Sequence, residues 1–264
     1  MNGYWDGSLY AGAQDINDNA AYLNALEALY NGLNNASTNC NANFGTTNYN
    51  WSVIQDVHTD PPDAGDAEAA ELCYHAGIAV GMDYGVRYSG ASSSEVENAL
   101  RDHFRYDTDA DYQERDINKM TTEILWLRPF HLRGTDADGG GHAWVGFGYN
   151  KGTDPNRQFL MNMGWGGGSD GWYSCDNVPG GYTISQDHTI QIAPQNVVKF
   201  VGAASLGDGS PDDPYRDIEE AIAEAPNGAT LIFKAGSDNT FSAVTLTITK
   251  PLTLKGVDVV IRKE

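Results

Sequence analysis

The 264-residue sequence predicts an α+β domain followed by the opening of a parallel β-solenoid. Three observations carry that expectation. Apolar residues recur at helical spacing through the first half, glycine-punctuated strands take over near residue 121, and short strands follow at quick intervals after residue 197. Helices first and an antiparallel sheet second is the order of an α+β fold. The division expected is one domain over 1–196 and a second over 197–264.

The segment DINDNAAYLNALEALYNGLNN, from Asp15, sets Ile16, Leu23, Leu26, Leu29, Tyr30 and Leu33 at roughly helical spacing behind an Asp or Asn cap. Gly32 and an Asn run stop it. The same stretch half-matches a calcium loop through Asp15, Asn17 and Asn19. Ala20 stands where that loop needs glycine and Leu26 where it needs a bidentate glutamate, so calcium is not expected. AEAAELCYHAGIAVGMDYG supplies a second helix ending near Gly77. Ser92 to Ser94 cap a third, in which Val96, Ala99, Leu100 and Phe104 share a face. TTEILWLRPFHLRG reads as a helix feeding a strand interrupted by Pro129. HAWVGFGY and RQFLMNMGW read as paired strands, and a tight glycine-rich loop separates them from GWYSCD.

In the last quarter, GDGSPDDPYRDIEEAIAEAPNGATLIFKAG is a capped helix followed by a strand, and VTLTITKPLTLKGVDVVIRK gives short strands broken at Lys250-Pro251 and Gly256. These two stretches resemble the N-terminal cap of pectate-lyase-like right-handed β-helices. Solenoid coils are stable only when stacked, about three at a time, so the tail is expected to be a cap cut off from its coils. The resemblance implies glycan contact through this tail. Asp208, Asp212 and Asp213 fall in a turn-forming loop, which accounts for them better than a calcium site does.

Composition excludes several classes. Sixteen basic against 36 acidic residues give a formal charge of −20, which repels phosphate backbones, so nucleic acid is not an expected partner. No stretch approaches the roughly 18 apolar residues of a membrane span, and the N-terminus MNGYWDGSLYAG has neither the basic start nor the apolar block of a signal peptide. Cys40, Cys73 and Cys175 allow at most one disulfide and show no CxxC spacing, so no metal and no cofactor is expected.

Chemistry concentrates in GGGHAWVGFGYN (139–150) and MNMGWGGGSDGWY (161–173). Three glycines let backbone approach His142 closely, and the alternating run after it holds the imidazole on a rigid strand, as a general base requires. A base also needs a partner for its second ring nitrogen, and Asn162 is the candidate, brought alongside by a turn between 150 and 158. Trp165 would screen the pair from water. Gly140, Gly141 and Gly164 are the candidate substrate-binding backbone. The polar loop RGTDADGG (133–140) is expected to be mobile and to border the cleft.

Five ordered blocks then resemble the streptopain-type cysteine endopeptidases, a bacterial branch of the papain-like fold, over roughly residues 44–194. They are YNW (49–51), AGIAVGMDYG (76–85), SGASSSEVENAL, GGHAW (140–144) and NMGWGGGSDG (162–171). The resemblance implies a papain-like cysteine peptidase fold, incomplete at its N-terminus, acting on protein or peptide substrates. It implies His142 as catalytic base, Asn162 as its orienter and Trp165 as part of an aromatic wall. Met163 departs from the family's first tryptophan. The family's nucleophile is a cysteine opening a buried helix, where unpaired N–H groups stabilise the thiolate. No such block exists here. Cys73 matches an ordinary core position, Cys40 lies in an Asn-rich loop, Cys175 follows the Trp loop, and Ser169 matches a turn residue. The expectation is therefore a fragment carrying the base half of a secreted or cell-surface peptidase. The alternative is an inactive peptidase-like module that binds peptides or glycans.

Overall fold

The structure is a computed structural model and describes residues 42–55, 63–84, 89–150, 157–195, 197–202, 207–241 and 245–263. The helix expected from Asp15, the half-matched calcium loop and Cys40 lie outside these residues. The chain divides into two compact units, 1–95 and 96–264.

In the first unit, helix α1 (Ala64–Ala79) starts where Asp63 and Asp66 form a reciprocal capping box. The Asp63 carboxylate accepts from Gly65 N at 2.7 Å and Asp66 N at 3.1 Å, and Asp66 accepts from Asp63 N at 2.8 Å. The helix outruns its expected end at Gly77 because glycine does not stop a turn that its neighbours continue. A two-stranded hairpin follows, β1 (Asp83–Tyr84) with β2 (Ser89–Gly90).

The second unit begins at helix α2 (Glu95–Phe104), which straddles the division and buries Ala99. Its sheet has six antiparallel strands in the order β3-β8-β4-β5-β6-β7. They are β3 (Asp111–Glu114), β4 (Phe130–Thr135), β5 (Gly141–Asn150), β6 (Gln158–Asn162), β7 (Gly171–Tyr173) and β8 (Ile184–Ile190). Helix α3 (Ile117–Leu125), capped by Asp116, ends before the strand that Pro129 introduces. Alternation sends Phe130, Leu132, Trp144, Phe159 and Met161 into one core with Met120 of α3. Gly146 is required there, since a Cβ on it would fall 2.1 Å from the Phe130 ring.

The tail carries parallel ladders. Strand β9 (Val198–Val201) pairs with β10 (Thr230–Phe233), which pairs with β12 (Thr253–Lys255). Strand β11 (Asp238–Phe241) pairs with β13 (Val260–Lys263). Between β9 and β10 lies helix α4 (Ile218–Glu224), capped by Asp217. The tail and the sheet share a small core of Trp126, Ala193, Phe200 and Ile232. Beside it the Arg128 guanidinium grips Glu123 through two bonds of 2.7 Å and lies 4.6 Å from the Phe200 ring centre. Glu123 also accepts from Gln191 N at 2.9 Å, so the buried carboxylate joins α3 to the segment after β8.

His188 of β8 is fully buried opposite Leu132. Its Nδ1 accepts from Asp116 N at 3.4 Å, and its Nε2 has no partner among the described residues. Burial lowers this imidazole from 6.5 to about 4, despite the opposing pull of Asp116, Asp111 and Asp187; Lys119 adds to the lowering. Burial also lowers His131 to about 4. Unfolded, both rings take up a proton below about pH 6.5, whereas folded they resist until about 4. The stability that depends on neutral rings is therefore complete above pH 6.5 and lost as pH falls toward 4, roughly 3 kcal/mol per ring at the bottom of the window. The urea midpoint of the chain should fall steadily from pH 7 to pH 4.5, and His188→Gln should flatten that slope. A wild-type midpoint constant over this range contradicts the account.

Candidate active site

His142 is the second residue of β5 and pairs with Gly134 of β4. The turn joining these strands is tied by one side chain. Asp136 Oδ1 accepts from Asp138 N at 2.9 Å and Gly140 N at 2.8 Å, while Asp136 N donates to Gly140 O at 2.9 Å. The mobile loop expected over 133–140 is thus the end of β4 and a hydrogen-bonded hairpin. His142 enters its strand from a fixed direction.

The imidazole lies half-buried on the core face, where Nε2 is 2.8 Å from Met163 O. A carbonyl only accepts, so Nε2 carries the hydrogen and Nδ1 presents a lone pair. Aromatic rings surround it. Trp165 stacks at 4.8 Å between centres, Trp144 lies at 6.0 Å, and Tyr182 tilts against it at 5.1 Å. Trp165 remains 41% exposed, so it forms a wall rather than part of the core.

Asn162 is close in sequence to this contact but not beside the ring. Its residue pairs with Val145, and both are exposed on the face opposite His142. The cause is a one-residue register shift in β5 between Gly146 and Gly148, which reverses the faces of β5 relative to β6 beyond it. Asn162 Oδ1 accepts instead from Gly164 N at 2.8 Å. That N–H belongs to the peptide unit whose carbonyl meets His142. Gly164 has φ +74°, and Asp170 Oδ1 accepts from Met163 N at 2.8 Å.

Of the glycines singled out, Gly140 lies in the Asp136 hairpin, while Gly141 and Gly164 have open space where a Cβ would stand. Met163, in place of a tryptophan, is completely buried in the main core. Ser169 sits in the turn at φ +61° with its carbonyl accepting from the Tyr173 hydroxyl. Tyr182, Asp170 and the Met163 carbonyl were not identified from sequence. A backbone carbonyl leaves no residue signature, and Tyr182 follows Gly180 and Gly181 as any turn residue does.

The cysteines offer no activated thiol among the described residues. Cys73 is exposed and well inside α1, far from the helix N-terminus that would favour a thiolate. Cys175 is buried, and that burial pushes its thiol up to about 11, with Arg115 opposing. Nor do three His, Cys, Asp or Glu side chains converge on a metal position among the described residues.

A sequence model of the peptidase C10 family matches residues 26–173. Streptopain of Streptococcus pyogenes is 31% identical over 150 residues, covering 54% of this chain and 36% of the relative. The thiol protease/hemagglutinin PrtT of Porphyromonas gingivalis is 28% identical over 185 residues, covering 62% of this chain and 20% of that protein. The structure of active wild-type Prevotella intermedia interpain A cysteine protease superposes with a TM-score of 0.49 at 30% identity, over 57% of this chain and 66% of that one. The chain thus spans little more than a third of the streptopain relatives it matches.

Gly134 keeps the aromatic wall in contact with His142. A Cβ there would fall 2.2 Å from Tyr182 O and 3.0 Å from Gln186 Cγ. Gly134→Ala should push Tyr182 away, at a stability cost of about 1–3 kcal/mol. The His142 ring protons should lose the ring-current shift that Tyr182 imposes. An unchanged NMR spectrum of the His142 ring in a folded variant contradicts this placement.

Proposed function

The chain belongs to the peptidase C10 family, and on that premise we propose that it carries the base-bearing part of a streptopain-type cysteine peptidase, with His142 as proton acceptor. The observation that supports this reading most is the bond from Nε2–H to Met163 O, because it leaves the Nδ1 lone pair to act as base. In this reading the nucleophile is a cysteine at a helix N-terminus and is none of the three present, since Cys73 and Cys175 lack the setting a thiolate needs and the sequence sets Cys40 in an Asn-rich loop. Its S–H gives the proton to Nδ1, forming thiolate and imidazolium. Sulfur attacks the peptide carbonyl, and the C–N bond breaks as Nδ1–H returns the proton to the leaving amine. Water then opens the thioester, losing one proton to Nδ1, which passes it to the departing sulfur.

In this scheme Met163 O stabilises the imidazolium and Asn162 acts through the peptide plane, holding Gly164 N so that the carbonyl on the opposite side faces the ring. Trp165 shields the ion pair, and the backbone at Gly140, Gly141 and Gly164 lines the path of the substrate. Protein substrates follow from the family. An exported or surface-bound parent fits the −20 charge, and the parallel ladders from Val198 onward support reading the tail as the start of a β-helix with a surface for glycan contact.

A second reading, an inactive binding module with inherited site geometry, draws support from the same two unsuited cysteines. Casein cleavage by the 264-residue chain, compared with cleavage by a longer product in which a helix-opening cysteine segment precedes it, separates the two. Thiol-dependent cleavage by the longer product alone is the expected outcome. Failure of both favours the binding module. Cleavage by the short chain, lost in step with alkylation of Cys73, refutes the assignment of the nucleophile.

A further inference from the structure

The acceptor for His142 is a backbone carbonyl next to a glycine, and that makes its direction a problem. Rotating the Met163–Gly164 peptide plane would turn the carbonyl away from the ring and carry Gly164 out of its present φ of +74°. Glycine occupies negative φ as readily as positive, so sterics offer little resistance to this flip. The plane must be held by hydrogen bonds. Asn162 Oδ1 holds one edge through Gly164 N, at 2.8 Å. The preceding peptide is held separately, where Asp170 Oδ1 accepts from Met163 N at 2.8 Å. With both neighbouring planes fixed, the two backbone dihedrals at Met163 are fixed as well, and its carbonyl has one direction.

We propose that Asp170 is a positioning residue for His142, acting through the Met163 backbone to keep the carbonyl on Nε2 and so to hold the imidazole in its Nε2–H tautomer. Asp170 does not touch the ring. It is the second anchor of a strap formed by residues 162–170, and the strap turns back on itself through Gly168 N to Trp165 O at 3.0 Å. The same turn carries Trp165, which stacks on His142 at 4.8 Å. Fixing the strap therefore sets the hydrogen-bond acceptor and the stacking partner of one imidazole together. A carboxylate suits this duty, since its oxygens are acceptors for a backbone N–H.

The inference rests on His142 being the base, but its test needs no turnover. The tautomer ratio of His142, read from ring 15N shifts in the full 264-residue chain and assigned by its loss in His142→Phe, is compared between wild type, Asp170→Asn and Asp170→Ala. Wild type should be mostly Nε2–H. Asp170→Asn, which keeps an acceptor oxygen, should stay within about twofold, whereas Asp170→Ala should lose about fivefold of the ratio, the weight of one ordinary net hydrogen bond. A merely structural role for Asp170 would lower stability without moving the ratio. If the alanine variant does not fold, Asp170→Ser, too short to reach Met163 N, takes its place. A mostly Nδ1–H ring in wild type, or an unchanged ratio in a folded alanine or serine variant, overturns the proposal. That failure would leave the base assignment standing, because the assignment is decided by cleavage and the clamp by the tautomer.

Discussion

The hydrogen bond from His142 Nε2–H to the Met163 carbonyl is the constraint on which the site depends, because it decides which ring nitrogen holds the proton and which is basic. Every neighbouring feature bears on that bond. The Asp136 hairpin fixes where β5 begins, the register of β6 brings residue 163 alongside, and the glycine-rich strap lets the chain reverse sharply enough to place Trp165 on the ring. An orienting carbonyl differs from an orienting side chain in one physical respect. It has no rotamers of its own, so its direction is inherited from the peptide planes around it.

Support from below is apolar. Phe130 lies under Gly146, Phe159 meets Phe130 edge-on at 5.2 Å, and Met120 of α3 closes the layer, so β5 rests on a tightly packed core. Further along α3, the buried Glu123–Arg128 pair binds this layer to the segment after β8 through Gln191 and to the tail through Phe200. Removing one member of such a pair strands a buried charge, which makes the junction between sheet and tail intolerant of substitution.

Much of this was legible in the sequence. Ser92 to Ser94 and the apolar face behind them located α2, TTEILW caught the second half of α3 but not its Asp116 cap, the strand expected to be interrupted by Pro129 instead begins after it, and three glycines before an alternating strand singled out His142. The orientation of Asn162 was not legible. Had β5 and β6 paired without interruption from Tyr149 and Phe159, Asn162 would have fallen opposite Gly146 on the face of His142; one extra residue at the bulge sends it to the other face. Nothing in GFGYN announces that shift, because glycine permits a bulge without requiring one. The aromatic contact of Tyr182 depends on a close approach at Gly134 from a distant strand. The buried pairing of Glu123 with Arg128 likewise depends on how α3 meets the tail, which no local pattern encodes.

The central claim, that His142 is the base that activates a thiol, is tested most directly by replacing this one residue with alanine in a chain supplied with a helix-opening cysteine segment at its N-terminus and assayed on casein. The account predicts that kcat/KM falls by at least about 10³ and that alkylation of the nucleophilic cysteine at pH 6 slows in parallel, since the thiolate loses its imidazolium partner. Cleavage within tenfold of wild type, with an unchanged alkylation rate, would contradict it.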